Sequence, residues 1–380
     1  MLHFLKKYFK KPFQTLNTIT LSQGSLLANF DLYQSFHPTS SIFPVLKSDA
    51  YGHGIREIAS ILAGRKLDYI VVDSYYEALE IRTVNKTRVL LIGYTLPSNF
   101  PSMDFSFVTP VISDIESLRA LGKTGKKIRI HLKIDTGMHR QGMDPEGIPK
   151  FLSTLREYPN LMLEGVCTHL SDADNPDDVY TSEQTRKFQQ TIEEIRSEGF
   201  ELRYIHAANS AGGAKELSDT FNTMRLGIGL YGITPLDPSD PSSNKLSGLC
   251  PVLRFESTLV LKKKLRKGDR VSYNGTFTAP EDMTVGVIPV GYYEGISRTL
   301  GGGKFGYTWK NVYFPILGRV CMNMTVVDLG ASPIEVGEKV TIISDDINDP
   351  NSLYAMARAA GTILYECLTG LAESMRRVIV

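Results

Sequence analysis

Lys47 ends an apolar run, Ile42-Phe43-Pro44-Val45-Leu46, and opens a polar loop, Ser48-Asp49-Ala50-Tyr51-Gly52-His53-Gly54. A lysine there is either a cation snorkelling from a strand end to water or an amine held for covalent chemistry. Reactive residue types recur after later apolar runs. Asp135-Thr136-Gly137-Met138-His139-Arg140 follows one of them, and His169 with Asp172 and Asp174 follows the next. His206, Asn209 and Ser210 follow a third, and Arg225 precedes a glycine-punctuated stretch, Gly227-Ile228-Gly229. One lysine, few carboxylates, and hydroxyls beside glycine amides make neither a metal cluster nor a paired-carboxylate site. They suit a pocket for an anionic aromatic cofactor whose phosphate rests on backbone amides and hydroxyls.

Eight strand-length apolar runs must position these residues: 41–47, 68–73, 88–93, 105–112, 127–135, 161–170, 202–208 and 224–233. Several are nearly continuous in Val and Ile, as strands buried on both faces should be. Helical signals lie between them. Ser74-Tyr75-Tyr76-Glu77 predicts a capping box, and Thr181 to Gln184 predicts a second, opening a helix with Phe188, Ile192 and Ile195 on one face. Eight such units over roughly 200 residues predict a (β/α)8 barrel, whose active residues gather at the C-terminal ends of the strands. A doubly wound open sheet is the alternative.

After Pro235 the texture changes. LDPSDPSSNKLSG (236–248) reads as a linker. Strand-like runs follow (VLRFESTLVLKKKL, RVSYN, TVGVIPVGYY, VYFPILGRVCMNMTVVDLG, EKVTIIS), then a helical stretch and a final strand. The expected division is an N-terminal extension over 1–20, a barrel over 21–240 and a mostly β domain over 241–380. Lys262-Lys263-Lys264 reads as a solvated strand edge.

A net charge of +1 over 380 residues gives no electrostatic reason to expect nucleic acid or an anionic membrane as partner. Four scattered cysteines without a CxxC pair suit a reducing cytoplasm. Lysines interrupt the apolar residues of MLHFLKKYFKKPF, so it lacks the core of a secretory signal and reads as a short helix or tail. No segment approaches the length of an apolar membrane span. A cytoplasmic protein is expected.

Nine motifs occur in order: VLKSDAYGHG, KIDTGMHR, THLSDAD, HAANSA, RLGIGLYG, VSYN, GYYEG, GRVCMNM and TILYE. With them the chain resembles the alanine racemases, pyridoxal-phosphate enzymes built of a barrel and a β domain, from about Leu21 onwards. The resemblance implies that Lys47 carries the cofactor and serves as one catalytic base. It implies Tyr273 as the second base on the opposite face, supplied by the β domain of a partner subunit, and hence an obligate homodimer. Arg225 would contact the pyridine nitrogen, where a fixed cation disfavours protonation. His169 would lie beside the ring. Tyr51, Asn209, Ser210, the amides of Gly227 and Ile228, and Tyr365 would complete the cofactor site, mostly about its phosphate.

Arg140 and the backbone of Met322 match groups near the substrate. Asp174, Tyr292, Arg298 and Arg319 match an entry corridor, and Lys133 has the place of a lysine carbamylated in some members. No metal is implied. The implied reaction interconverts L- and D-alanine, the latter for peptidoglycan, with a racemase of broader or serine specificity as the alternative. Arg225 speaks against a decarboxylase of this fold. The β domain with Tyr273 speaks against a non-catalytic cofactor carrier. Two departures stand out: Asn323 replaces the family's aspartate, removing a charge near the substrate, and the chain ends MRRVIV instead of Arg-Val-Pro-Arg.

Overall fold

The computed structural model describes residues 14–215 and 221–380, which fall into two compact units. The lysine-rich stretch 1–13 lies outside the described residues. Strand β1 (Thr18–Leu21) belongs to the second unit, and the first unit is Gln23–Val252. Its strands are β2 (Ser41–Pro44), β3 (Tyr69–Val72), β4 (Arg88–Leu91), β5 (Val108–Ile112), β6 (Ile128–Lys133), β7 (Leu161–Cys167), β8 (Tyr204–His206) and β9 (Thr223–Leu226).

Strands β3 to β8 pair in sequence order, all parallel, and β2 pairs in parallel with β9. Two seams join these sheets. A parallel bridge links Val45 to Val71, and the Arg225 amide donates to the Ala208 carbonyl at 3.0 Å. The eight predicted strands therefore close into a (β/α)8 barrel. Alternate residues along the strands point inward, so Phe43 and Val45 pack with Tyr69, Val71, Leu90, Val111, Cys167 and Tyr204. A register shift between Ile130 and His131 re-aims β6. Gly165 lies opposite, where a Cβ would come within 2.8 Å of the His131 ring.

The Ser74 capping box is present as predicted, with the Ser74 hydroxyl accepting from the Glu77 amide. The second box is not. Its helix begins at Val179, with Asp178 at the cap, so Thr181 and Gln184 lie inside it. Gln184 turns to the preceding loop instead. Its Oε1 accepts from the Ser171 amide at 2.9 Å, and its Nε2 donates to the His169 carbonyl at 3.1 Å. Phe188, Ile192 and Ile195 share the buried face.

The second unit joins the segment up to Ser22 to Leu253–Val380. It contains β10 (Leu253–Thr258), β11 (Leu261–Leu265), β12 (Arg270–Val271), β13 (Phe277–Thr278), β14 (Met283–Ile288), β15 (Gly306–Trp309), β16 (Val312–Leu317), β17 (Thr325–Asp328), β18 (Lys339–Ile343) and β19 (Arg376–Ile379). Nine strands form one sheet in the order β11-β14-β17-β16-β15-β18-β10-β1-β19. The stretch read as an extension thus ends in a strand. Ile19 and Leu21 are fully buried, and β1 runs antiparallel to β10 and parallel to β19. Strand β11, which carries Lys262 to Lys264, is the sheet edge. Two helices, Leu353–Ala360 and Leu364–Thr369, precede β19.

Candidate active site

The strand-end position of Lys47 is followed by an unusual backbone. Ser48, Asp49, Ala50 and Tyr51 all have φ between 52° and 56°, one left-handed turn closed by Gly52 and Gly54. L-residues resist this conformation by about 1–2 kcal/mol each. The turn brings the Tyr51 hydroxyl over Gly227, where a Cβ would meet it at 2.8 Å. Ser210, at the start of the short helix after β8, accepts from the Gly227 and Gly229 amides at 3.1 and 3.2 Å. Two hydroxyls and glycine amides therefore converge as a cradle of groups able to hold an anion. Asn209 caps the helix, its Oδ1 accepting from the Gly212 amide at 2.9 Å.

Arg225 is buried beside this cradle. Its NH1 donates to His206 Nδ1 at 2.7 Å and to the His206 carbonyl at 2.8 Å. Its NH2 donates to the carbonyls of Thr168 and Ala207 at 2.7 and 3.1 Å and faces His169 Nδ1 at 3.3 Å. A guanidinium only donates, so His206 Nδ1 is an acceptor and its proton sits on Nε2. That nitrogen lies 2.9 Å from His131 Nδ1, which must then accept, leaving the His131 proton on Nε2. His131 Nε2 faces Glu164 Oε2 at 3.7 Å, and the Tyr69 hydroxyl donates to the same oxygen at 2.5 Å. A directed line of donors thus runs down the barrel interior from the buried cation to His131, whose Nε2 points at the buried carboxylate from beyond hydrogen-bond distance.

Burial, aided by Arg225, keeps the imidazoles neutral. The His169 pKa is pushed down to about 3, and that of His206 well below its ordinary value. Burial lowers His131 too, although Glu164 opposes it. Burial works against the charge on Glu164, yet the His131 ring and the Tyr69 hydroxyl hold its carboxyl below the usual range. Lys133, at the end of β6, donates to Gln141 Oε1 at 3.1 Å. Burial pushes its ammonium down, and Arg225, Arg140 and Lys47 add to the effect. Arg140 and Asp174 are exposed. Among the described residues no group of three His, Cys, Asp or Glu could hold a metal ion.

In the second unit three motifs come together. Expected as strand, Tyr273 instead opens a 3-10 turn, Tyr273–Gly275, because Ser272 (φ 65°) breaks β12. The Ser272 hydroxyl donates to the Arg319 carbonyl at 2.6 Å, and Arg270 NH2 holds the Asn274 carbonyl at 2.8 Å. The phenol is left 66% exposed. The Tyr292 and Tyr293 amides donate to the carbonyls of Cys321 and Met322 at 3.0 and 2.9 Å, zipping GYYEG to GRVCMNM. Arg298 begins a separate short turn, and Tyr365 lies in the helix Leu364–Thr369.

The departure at Asn323 has a structural counterpart. Its Nδ2 donates at 2.9 Å to Glu294 Oε1, while Glu294 Oε2 accepts from the Gly291 amide. Asn323→Asp would set two carboxylates at that distance. The variant is expected to lose about 1–2 kcal/mol at pH 8 and to recover it near pH 5, when the pair shares a proton. Urea unfolding at both pH values measures this.

Comparisons with known proteins agree with this geometry. The family model for the alanine racemase N-terminal domain matches residues 21–235, and that for the C-terminal domain matches 252–379. The alanine racemase of Geobacter sulfurreducens is 35% identical, covering 93% of this chain and 94% of its own. That of Treponema denticola is 34% identical, covering 88% and 90%. The crystal structure of the Bacillus anthracis alanine racemase with bound L-Ala-P superposes with a TM-score of 0.89 at 27% identity, over 97% of this chain and 96% of its own. The crystal structure of the Bartonella henselae alanine racemase, 22% identical with a TM-score of 0.84, holds covalently bound pyridoxal phosphate. Both family models and both relatives agree: the chain is a member of the alanine racemase family, an amino-acid racemase acting on alanine.

Proposed function

We propose that Lys47 and Tyr273 are the two acid–base groups of alanine racemisation and that the first unit holds pyridoxal 5'-phosphate. The gathering of Lys47, the Tyr51 and Ser210 hydroxyls, the Gly227 amide and the buried Arg225 at the strand ends carries this reading. When bound, the cofactor withdraws electrons from the substrate Cα and so lets its proton ionise. Lys47 anchors it through Nζ and moves a proton on one face. Tyr51, Ser210 and Gly227 orient the phosphate, a role proposed also for Ile228, Asn209 and Tyr365. Arg225 holds its own proton, because the guanidinium donates to neutral acceptors on every side, and it keeps the facing ring nitrogen unprotonated. His169, neutral, lines the ring.

Tyr273 moves the second proton on the opposite face. We infer a homodimer in which it serves the partner's site, consistent with its exposure on a turn braced by Arg270 and Ser272. Arg140 and Met322 are proposed to bind the substrate, and Asp174, Tyr292, Arg298 and Arg319 to govern its entry. Lys133 stands among Arg225, Arg140 and Lys47, a setting that favours its conversion by carbon dioxide to an anionic carbamate. We infer a cytoplasmic enzyme whose D-alanine feeds peptidoglycan. No described helix is long and apolar enough to cross a membrane.

Borohydride reduction of the protein incubated with pyridoxal phosphate is expected to fix the cofactor on the peptide bearing Lys47. Lys47→Ala is expected to abolish this and to lower D-alanine formation by about 10⁴-fold, and Tyr273→Phe by about 10²–10⁴-fold. Mixing and refolding the two variants together restores turnover if sites are shared, since one site of each mixed dimer is intact. Trapping on another lysine would sink the assignment.

A further inference from the structure

The left-handed turn after Lys47 is enforced from outside itself. Ser, Ala and Tyr have no preference for positive φ and Asp tolerates it only as a single residue, so such a run persists only where its surroundings over-determine it. Part of the restraint is internal: Asp49 Oδ1 accepts from the Ile55 amide at 2.8 Å, and the Gly54 amide donates to the Asp49 carbonyl at 2.9 Å. The head of the turn is held by a different βα unit. Glu77 stands in the first turn of the helix after β3. Its Oε2 completes the capping box, accepting from the Asp73 and Ser74 amides at 2.9 and 3.0 Å. Its Oε1 leaves that helix and accepts from the Ser48 amide at 2.6 Å. Ser48 is the first left-handed residue and the neighbour of Lys47.

We propose that Glu77 is a positioning residue of the active site, its carboxylate latching the left-handed turn at Ser48 so that Lys47 and Tyr51 are aimed together. This rests on the reading of Lys47 as the cofactor-bearing residue. The chemistry requires a carboxylate. Three N–H groups converge on Glu77, and only an acceptor with two free oxygens answers donors on both sides. A carboxamide presents one oxygen and one NH2, so in either orientation it turns a donor against a donor. Capping alone would explain one oxygen. It does not explain the other.

Ser74→Ala separates the two roles, since it removes the cap hydroxyl that accepts from the Glu77 amide at 3.2 Å and leaves both Glu77 oxygens in place. Amide hydrogen exchange of the peptide spanning 47–54 is measured by mass spectrometry on the cofactor-loaded wild type, Glu77→Gln and Ser74→Ala. Glu77→Gln is expected to exchange this peptide at least about tenfold faster and to lower kcat about tenfold. Ser74→Ala is expected to lose thermal stability yet keep wild-type exchange and kcat. Glu77→Asp, one methylene too short to reach Ser48, serves where the glutamine variant does not fold and should show the same local loss. Equal exchange over 47–54 in Glu77→Gln and Ser74→Ala overturns the latch. Failure of the Lys47 assignment is read separately, by borohydride trapping on the wild type, and leaves the exchange result standing.

Discussion

Arg225→Leu is expected to destabilise the barrel by about 3 kcal/mol, beyond any effect on turnover. The guanidinium answers four acceptors: His206 Nδ1 and the carbonyls of His206, Thr168 and Ala207. Each buried acceptor left alone costs about 1–3 kcal/mol. Relief from burying a charge offsets part of that sum, because burial already pushes the guanidinium down. Leucine also frees His206 Nδ1, so the order of donors through His131 towards Glu164 loses its starting point. Arg225→Lys keeps a charge but not the fork, and a loss of about 1–2 kcal/mol is expected for it. Urea unfolding gives both values, and ¹⁵N shifts of the imidazoles report whether His206 keeps its Nε2 proton. A leucine variant within about 0.5 kcal/mol of wild type, with unchanged shifts, contradicts the network.

The second large effect is on acid stability. His131, His169 and His206 are held neutral by burial, with Arg225 facing all three, Lys133 near His169 and Glu164 opposing only at His131. Their folded pKa values lie below the ordinary 6.5, so the unfolded chain binds more protons wherever pH falls between the two. Stability is therefore full above about pH 6.5 and is lost as pH drops through it, for His169 down to about 3. At pH 5 a histidine held neutral to that pH, as His169 is, costs about 2 kcal/mol, and His206 and His131 act in the same direction. Carboxyls held low, such as Glu164 and Asp135, add their loss only below about pH 4. Denaturation at pH 7.5 and pH 5 tests the sign and the size. His169→Gln should lower the slope between these values by about one proton. A flat profile over this range would mean that these rings are not held neutral.

Much of this architecture is legible in local pattern. Seven of the eight apolar runs contain a barrel strand, because strands buried on both faces write their own continuous signal; the eighth, 224–233, shares only 224–226 with β9, and Ile228–Tyr231 coils into a 3-10 turn after Gly227. The Ser74 box is legible since its partners are three residues apart. The same local signature fails at Thr181 and Gln184, where a loop needing donors and acceptors takes Gln184 away from the helix end. Strand β1 escapes notice because four residues acquire a meaning only from β10 and β19, more than 200 residues distant.

By itself the sequence determined which residues stand at the strand ends: Lys47, His169, Ser210 and Arg225 follow from apolar runs and the motifs that close them. Tertiary structure alone decided how they are held. No residue type in Ser48 to Tyr51 asks for a left-handed turn, and the acceptor that steadies it, Glu77, comes from the next βα unit. The line from Arg225 through His206 and His131 towards Glu164 likewise joins β9, β8, β6 and β7 across the barrel interior. Its proton positions follow from which donor faces which acceptor, and that is set by strand register and closure, which no local periodicity encodes.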